Sequence, residues 1–157
     1  MSRTVLTALA LTAATSASAG EYCVLDDSVM FTCTFNNGAK AVEVCDVMWL
    51  DGDQASYGFF KPGGEVEKEI VMDKATMGYD EGTGIGSVLS ESVTFKTGDG
   101  YAYEVYWAAE REDKEFSGGI SVLQDGEEIA NLACDAGSVS QNLYELITMI
   151  DAAQVSP

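Results

Sequence analysis

Runs of alternating β-branched and aromatic residues, broken by Asn-Gly, Asp-Gly and Pro-Gly pairs, predict an all-β protein. The expected architecture is a single antiparallel β-barrel or sandwich of about eight strands with a short C-terminal α-helix. Two further observations shape this reading. Four cysteines occur with no histidine, and a helical stripe of apolar residues shows only in the tail.

The chain opens on a segment of another kind. Arg3 supplies a positive start, Val5 to Ala14 an apolar core, and Ala17-Ser18-Ala19 an A-x-A cleavage motif. That order is the secretory signature. A membrane span needs about twenty apolar residues, and Thr and Ser interrupt this run well before that. Cys23 stands beyond the first mature position, which argues against a lipid anchor. Residues 1–19 are therefore expected to be removed. Residues 20–157 then form one domain, soluble in the periplasm or secreted.

Strands are expected near 28–35, 40–49, 56–60, 66–72, 87–97, 101–108, 118–124 and 127–133. Asn36-Asn37-Gly38 joins the first two, with residues that tolerate the positive φ of a tight turn, and Asp125-Gly126 joins the last two. The middle hairpin permits a register argument. A three-residue loop, Gly98-Asp99-Gly100, sets Phe95 opposite Tyr103 and Val93 opposite Val105, with Gly100 left-handed. A two-residue loop would set Phe95 against Glu104. The three-residue loop is preferred, and it puts Tyr101, Tyr103, Val105 and Trp107 on one face, the core face. In the tail, Leu143, Leu146, Ile147 and Ile150 form the stripe of a helix over 141–153 docked on the sheet. Ser138 with Gln141, or Asn142 with Glu145, offers the capping box.

Cys23, Cys33, Cys45 and Cys134 are expected to form two disulfides, because an exported chain meets an oxidising compartment. With a first hairpin loop of two or three residues, Cys33 and Cys45 lie at least three positions out of step. At about 3.3 Å per residue their Cα atoms are then roughly 10 Å or more apart, too far to bridge. Each pairs with Cys23 or Cys134. Cys23–Cys45 with Cys33–Cys134 is the working pairing.

Absent histidine removes the Ser-His-Asp and Cys-His mechanisms and most catalytic zinc sites. Paired cysteines would remove the thiol nucleophile. Gly82-Thr83-Gly84-Ile85-Gly86 leads into a strand and lacks both the dinucleotide spacing and the P-loop lysine, so it reads as a turn before Val88. Asp51-Gly52-Asp53 and Asp26-Asp27 hint at calcium, but Ala55 and Ser56 break the EF-hand pattern. No cofactor is expected, and an irregular calcium site is the weak exception. Acidic pairs suited to glycoside hydrolysis abound among 26 Asp and Glu, so their presence decides nothing.

Against those 26 acids stand eight Lys and Arg, a net charge of −18 at pH 7. Nucleic acid and anionic membranes are repelled by such a surface. A cationic protein is attracted, while a merely salt-adapted surface would look the same. The charged connection from Ala109 to Phe116 is longer than a hairpin requires, and long loops on rigid sheets carry binding function. Glu110, Glu112, Asp113 and Glu115 supply its acids, against Arg111 and Lys114, with Tyr106 or Phe116 as the apolar anchor.

Several segments carry a resemblance. They are Phe31-Thr32-Cys33-Thr34, Lys40 with Val42 and Cys45, Tyr57-Gly58-Phe59, Val93-Thr94-Phe95, and Tyr101-Ala102-Tyr103-Glu104-Val105-Tyr106. Gly118-Gly119-Ile120-Ser121-Val122, Asp125-Gly126 and Ile129 to Cys134 complete them. Over residues 23–134 the chain resembles an uncharacterised family of small secreted proteobacterial proteins. That family's usual Tyr-x-Phe-Gly has Phe60 in place of its glycine here. The resemblance implies a fold and no activity. In size, compartment and expected β-barrel fold the chain is also similar to the periplasmic inhibitors of C-type lysozyme, whose target is cationic. Their Ser-Gly-x-x-Tyr segment is not matched. The expectation is a small exported, disulfide-bonded, non-catalytic binding protein, monomeric or weakly oligomeric, that binds or inhibits a cationic protein. A carboxylate-dependent glycan-acting enzyme and a passive acidic envelope protein are the alternatives.

Overall fold

The structure, a computed structural model, describes residues 21–82, 84–112 and 116–155. The expected export segment and two of the candidate acids, Asp113 and Glu115, lie outside the described residues. The chain forms β1 (Val29–Phe35), β2 (Lys40–Asp46), β3 (Gln54–Phe60), β4 (Val66–Asp73), β5 (Gly78–Asp80), β6 (Val88–Lys96), β7 (Tyr101–Glu110), β8 (Ser117–Gln124), β9 (Glu127–Ala133), β10 (Ser140–Gln141) and α1 (Leu143–Val155). They build two antiparallel sheets in the orders β10-β1-β2-β3-β4 and β5-β6-β7-β8-β9. The sheets do not close on each other, so the fold is a sandwich and not a barrel. The two additional strands, β5 and β10, span only three and two residues.

Turn chemistry sets the registers. Gly98-Asp99-Gly100 is a three-residue loop, closed by the Thr97 N–H donating to the Tyr101 carbonyl at 2.8 Å, with Gly100 at φ +88°. Phe95 accordingly faces Tyr103, and Val93 faces Val105. Asp125 and Gly126, at φ +52° and +88°, make the two-residue turn between β8 and β9. The first hairpin differs from expectation. Phe35 pairs with Lys40 across a four-residue loop in which Asn36, Asn37 and Gly38 all take positive φ. Its register places Cys33 opposite Val42 and Cys45 opposite Val29, three steps out of line. The disulfides are Cys23–Cys45 and Cys33–Cys134. The second ties β1 of one sheet to the residue after β9 of the other.

Between the sheets lie Phe31, Val42, Val44 and Tyr57 from the first and Val93, Phe95, Val105, Trp107 and Ile120 from the second. Tyr57 bridges the gap, its ring 5.8 Å from that of Phe95 and 5.6 Å from that of Tyr103. Burial drives the Tyr57 hydroxyl pKa up, so it stays neutral. Helix α1 buries Leu143, Leu146, Ile147 and Ile150 in the same core. Asn142 precedes the helix and its side-chain amide donates to the Glu145 carboxylate, while the Glu145 N–H reaches the Asn142 carbonyl at 3.2 Å.

The centre of the first sheet's outer face is covered by the chain itself. Glu43, almost wholly buried, accepts N–H bonds from Glu21, Tyr22 and Cys23 at 3.0, 2.9 and 2.8 Å. The Tyr22 ring lies on Gly58, where an added Cβ would come within 2.4 Å of it. At the end of β4, Lys74 is buried and donates to Asp46 at 2.7 Å and Asp53 at 2.6 Å. Burial alone would lower its pKa, but the two carboxylates outweigh that and raise it.

Candidate functional site

The connection from β7 to β8 is held by its arginine. The Arg111 N–H donates to the Ser87 carbonyl at 2.8 Å, its Nε to the Gly86 carbonyl at 2.8 Å, and a terminal nitrogen to the Gly84 carbonyl. The glycine-rich stretch before β6 thus receives a guanidinium on its carbonyls, the reverse of a phosphate loop, whose N–H groups point at the ligand. Arg111 forms no ion pair with Glu110 or Glu112. Glu110 and Glu112 are exposed. Phe116 is 42% exposed, yet its ring packs edge-on against Trp107 at 5.3 Å, so it is both anchored and available.

Three of the sequence-derived candidates, Tyr106, Glu110 and Phe116, line one cleft of about 570 Å³. Glu112 does not line it. The opposite wall comes from the segment after β9, including Asp135, Gly137 and Val139. Asp135 was not foreseen. Its carboxylate accepts from the N–H groups of Asn37 at 3.0 Å and Gly38 at 2.8 Å and from the Thr34 hydroxyl at 2.8 Å. The Asn37 N–H first, then the Thr34 hydroxyl and the Gly38 N–H, hold its pKa below the usual carboxylate range. Thr34 lies on β1 and the two N–H donors on the left-handed turn at Asn36-Asn37-Gly38, all far away in sequence, so nothing local marked Asp135.

Tyr106 has a defined seat. Its ring crosses β8 above Gly119, where a Cβ would come within 2.8 Å of its hydroxyl. That hydroxyl then donates to the Asn131 side-chain oxygen on β9 at 3.0 Å. Of the aspartates that hinted at calcium, Asp53 is engaged by Lys74. No three side chains able to hold a metal converge among the described residues. All four cysteines are bridged. No helix among the described residues is long and apolar enough to cross a membrane. No family model, curated protein or solved structure matches the chain.

Proposed function

We propose that this chain is an exported, non-catalytic binding protein for a basic protein. The observation that carries the reading is the cleft between the β7–β8 connection and the segment after β9. It combines an anchored but exposed aromatic, Phe116, with the exposed carboxylate of Glu110 and the Asp135 carboxylate, whose pKa is held below the usual range. Interfaces favour such a pairing of an aromatic anchor with surrounding charge. Export is supported by the leader-like first residues and by the two disulfides.

The test is association and dissociation kinetics against a panel of basic secreted enzymes at several salt concentrations. Replacing Glu110, Glu112, Asp113 and Glu115 by their amides should slow association and flatten its salt dependence. Phe116→Ala should chiefly speed dissociation. If no basic protein binds better than a neutral one of equal size, the reading fails.

A further inference from the structure

The two outer faces of the sandwich are finished differently. The centre of the first sheet's face lies under residues 21–23, which bind Glu43. The face of the second, on the cross-strand pairings, carries Asp80 on β5, Ser92 on β6, Glu104, Tyr106 and Glu110 on β7 and Glu128 on β9, interspersed with apolar residues such as Val88 and Leu123. Asp80, Ser90, Glu110, Glu128 and Asn131 are exposed. The buried residues of this face lie under their own neighbours. Ser92 donates to Glu104 at 2.7 Å, Ser121 donates to Glu128, and Gly119 lies beneath the Tyr106 ring.

Among the described residues, cations are nearly absent from this surface. Lys40 and Lys61 pair with Glu67, Lys68 lies over the Tyr103 ring, Lys74 is buried, and Arg111 faces carbonyls. Lys96 shares the face but sits at its far end, beside the Gly98–Gly100 loop. No ion pair reaches Asp80, Glu104, Glu110 or Glu128 among the described residues. A second copy docking by the same face would oppose acids to acids, which argues against self-association there. Tyr106 supplies the recognition feature. One side of its ring is seated on Gly119, and beside it lies a depression of about 210 Å³ lined also by Asp80, Ser90 and Glu104. A planar cation stacks on such a ring while its N–H groups fork onto carboxylates, geometry that a guanidinium offers and an ammonium does not.

We infer that this sheet face binds an extended, arginine-bearing segment of a basic protein, with one guanidinium seated between Tyr106, Asp80 and Glu104. The inference rests on the proposed function and moves its centre from the hairpin tip to the sheet. From Glu104 to Glu110, clear of Lys96, the surface runs roughly 20 Å, room for about six extended residues.

The test uses ten-residue peptides alternating Gly with Arg, Lys or Gln, and a neutral hexasaccharide, titrated into the full mature protein at low salt. The Arg peptide should bind more tightly than the Lys peptide. Asp80→Asn with Glu104→Gln should weaken it by about tenfold, as two exposed ion pairs lost together would. The control pair Asp51→Asn with Glu65→Gln, which removes equal charge elsewhere, should cost less than about twofold. Tyr106→Leu should abolish the Arg-over-Lys preference and Tyr106→Phe should keep it, with melting temperatures confirming that each variant folds. Equal losses from the control pair, or no preference for Arg, overturn the assignment. So does hexasaccharide binding that disappears in Tyr106→Leu, which would make the face a sugar platform. If the Arg peptide binds but is lost only in Glu112→Gln or Phe116→Ala, this face is wrong and the proposed function stands. If no basic peptide binds, both fall.

Discussion

Gly58 is a glycine because of space and not because of its backbone angles. A Cβ there would press to 2.4 Å from the Tyr22 ring, and Tyr22 cannot retreat easily, since its own N–H and those of its two neighbours are bound to Glu43. Gly58→Ala should therefore destabilise by about 1–3 kcal/mol, the usual cost of overpacking. In a Tyr22→Ala background the same change should cost much less. Denaturant unfolding of the four variants measures this coupling, and additive losses would show that the contact does not limit the site. Asp135 gives a second prediction. Its pKa is lowered below the unfolded value of about 3.9. The stability it contributes is therefore complete above that value and disappears as pH falls through the lower native value. Asp135→Asn should flatten the acid limb of the stability profile and leave the profile between about pH 7 and 9 parallel to wild type. An unchanged acid limb would mean that Asp135 titrates normally.

At the level of elements, what was legible in the sequence followed from local rules. The Gly98-Asp99-Gly100 loop fixes a register because pairing Phe95 with a carboxylate is the alternative, and Phe95 does face Tyr103. The stripe at 143, 146, 147 and 150 marks α1, although the helix runs Leu143–Val155, two residues beyond the expected end. Strands β5 and β10 escaped because two or three residues cannot display a period of two. The four-residue first turn escaped because Asn36 takes positive φ as well as Asn37 and Gly38. The site was legible only in part. Tyr106, Glu110 and Phe116 could be chosen from one stretch of chain, whereas Asp135 and the acids opposite Tyr106 are gathered only by strand order. The helix yields its own prediction. Ile150 is fully buried and Tyr144 is 68% exposed. Ile150→Ala should cost about 2–5 kcal/mol, and Tyr144→Ala less than about 0.5 kcal/mol. Comparable effects by calorimetry would mean that α1 does not dock through its apolar stripe.

For the whole molecule the decisive quantity is the net charge of −18 and its uneven distribution. Lys40, Lys61, Lys68 and Lys74 all lie on the β2 to β4 side, each already against a carboxylate or a ring. The other sheet is left with carboxylates whose neighbours are hydroxyls and amides, as Glu104 is with Ser92 and Glu128 with Ser121 and Asn131. Repulsion among those carboxylates opposes the compact state and is screened over about 8–10 Å at ordinary ionic strength. The melting temperature should therefore rise from low to moderate NaCl. Because no ion pair offsets Asp80 or Glu104 among the described residues, Asp80→Asn with Glu104→Gln should raise the low-salt melting temperature. It should also reduce the salt dependence more than Asp51→Asn with Glu65→Gln does. Calcium should do no more than NaCl of matched ionic strength, since Asp53 is held by Lys74 and no other group of ligands converges among the described residues. Equal salt slopes for the two charge-matched variants would show that the repulsion is spread evenly. A calcium-specific rise would instead reveal a metal site built from the loop carboxylates.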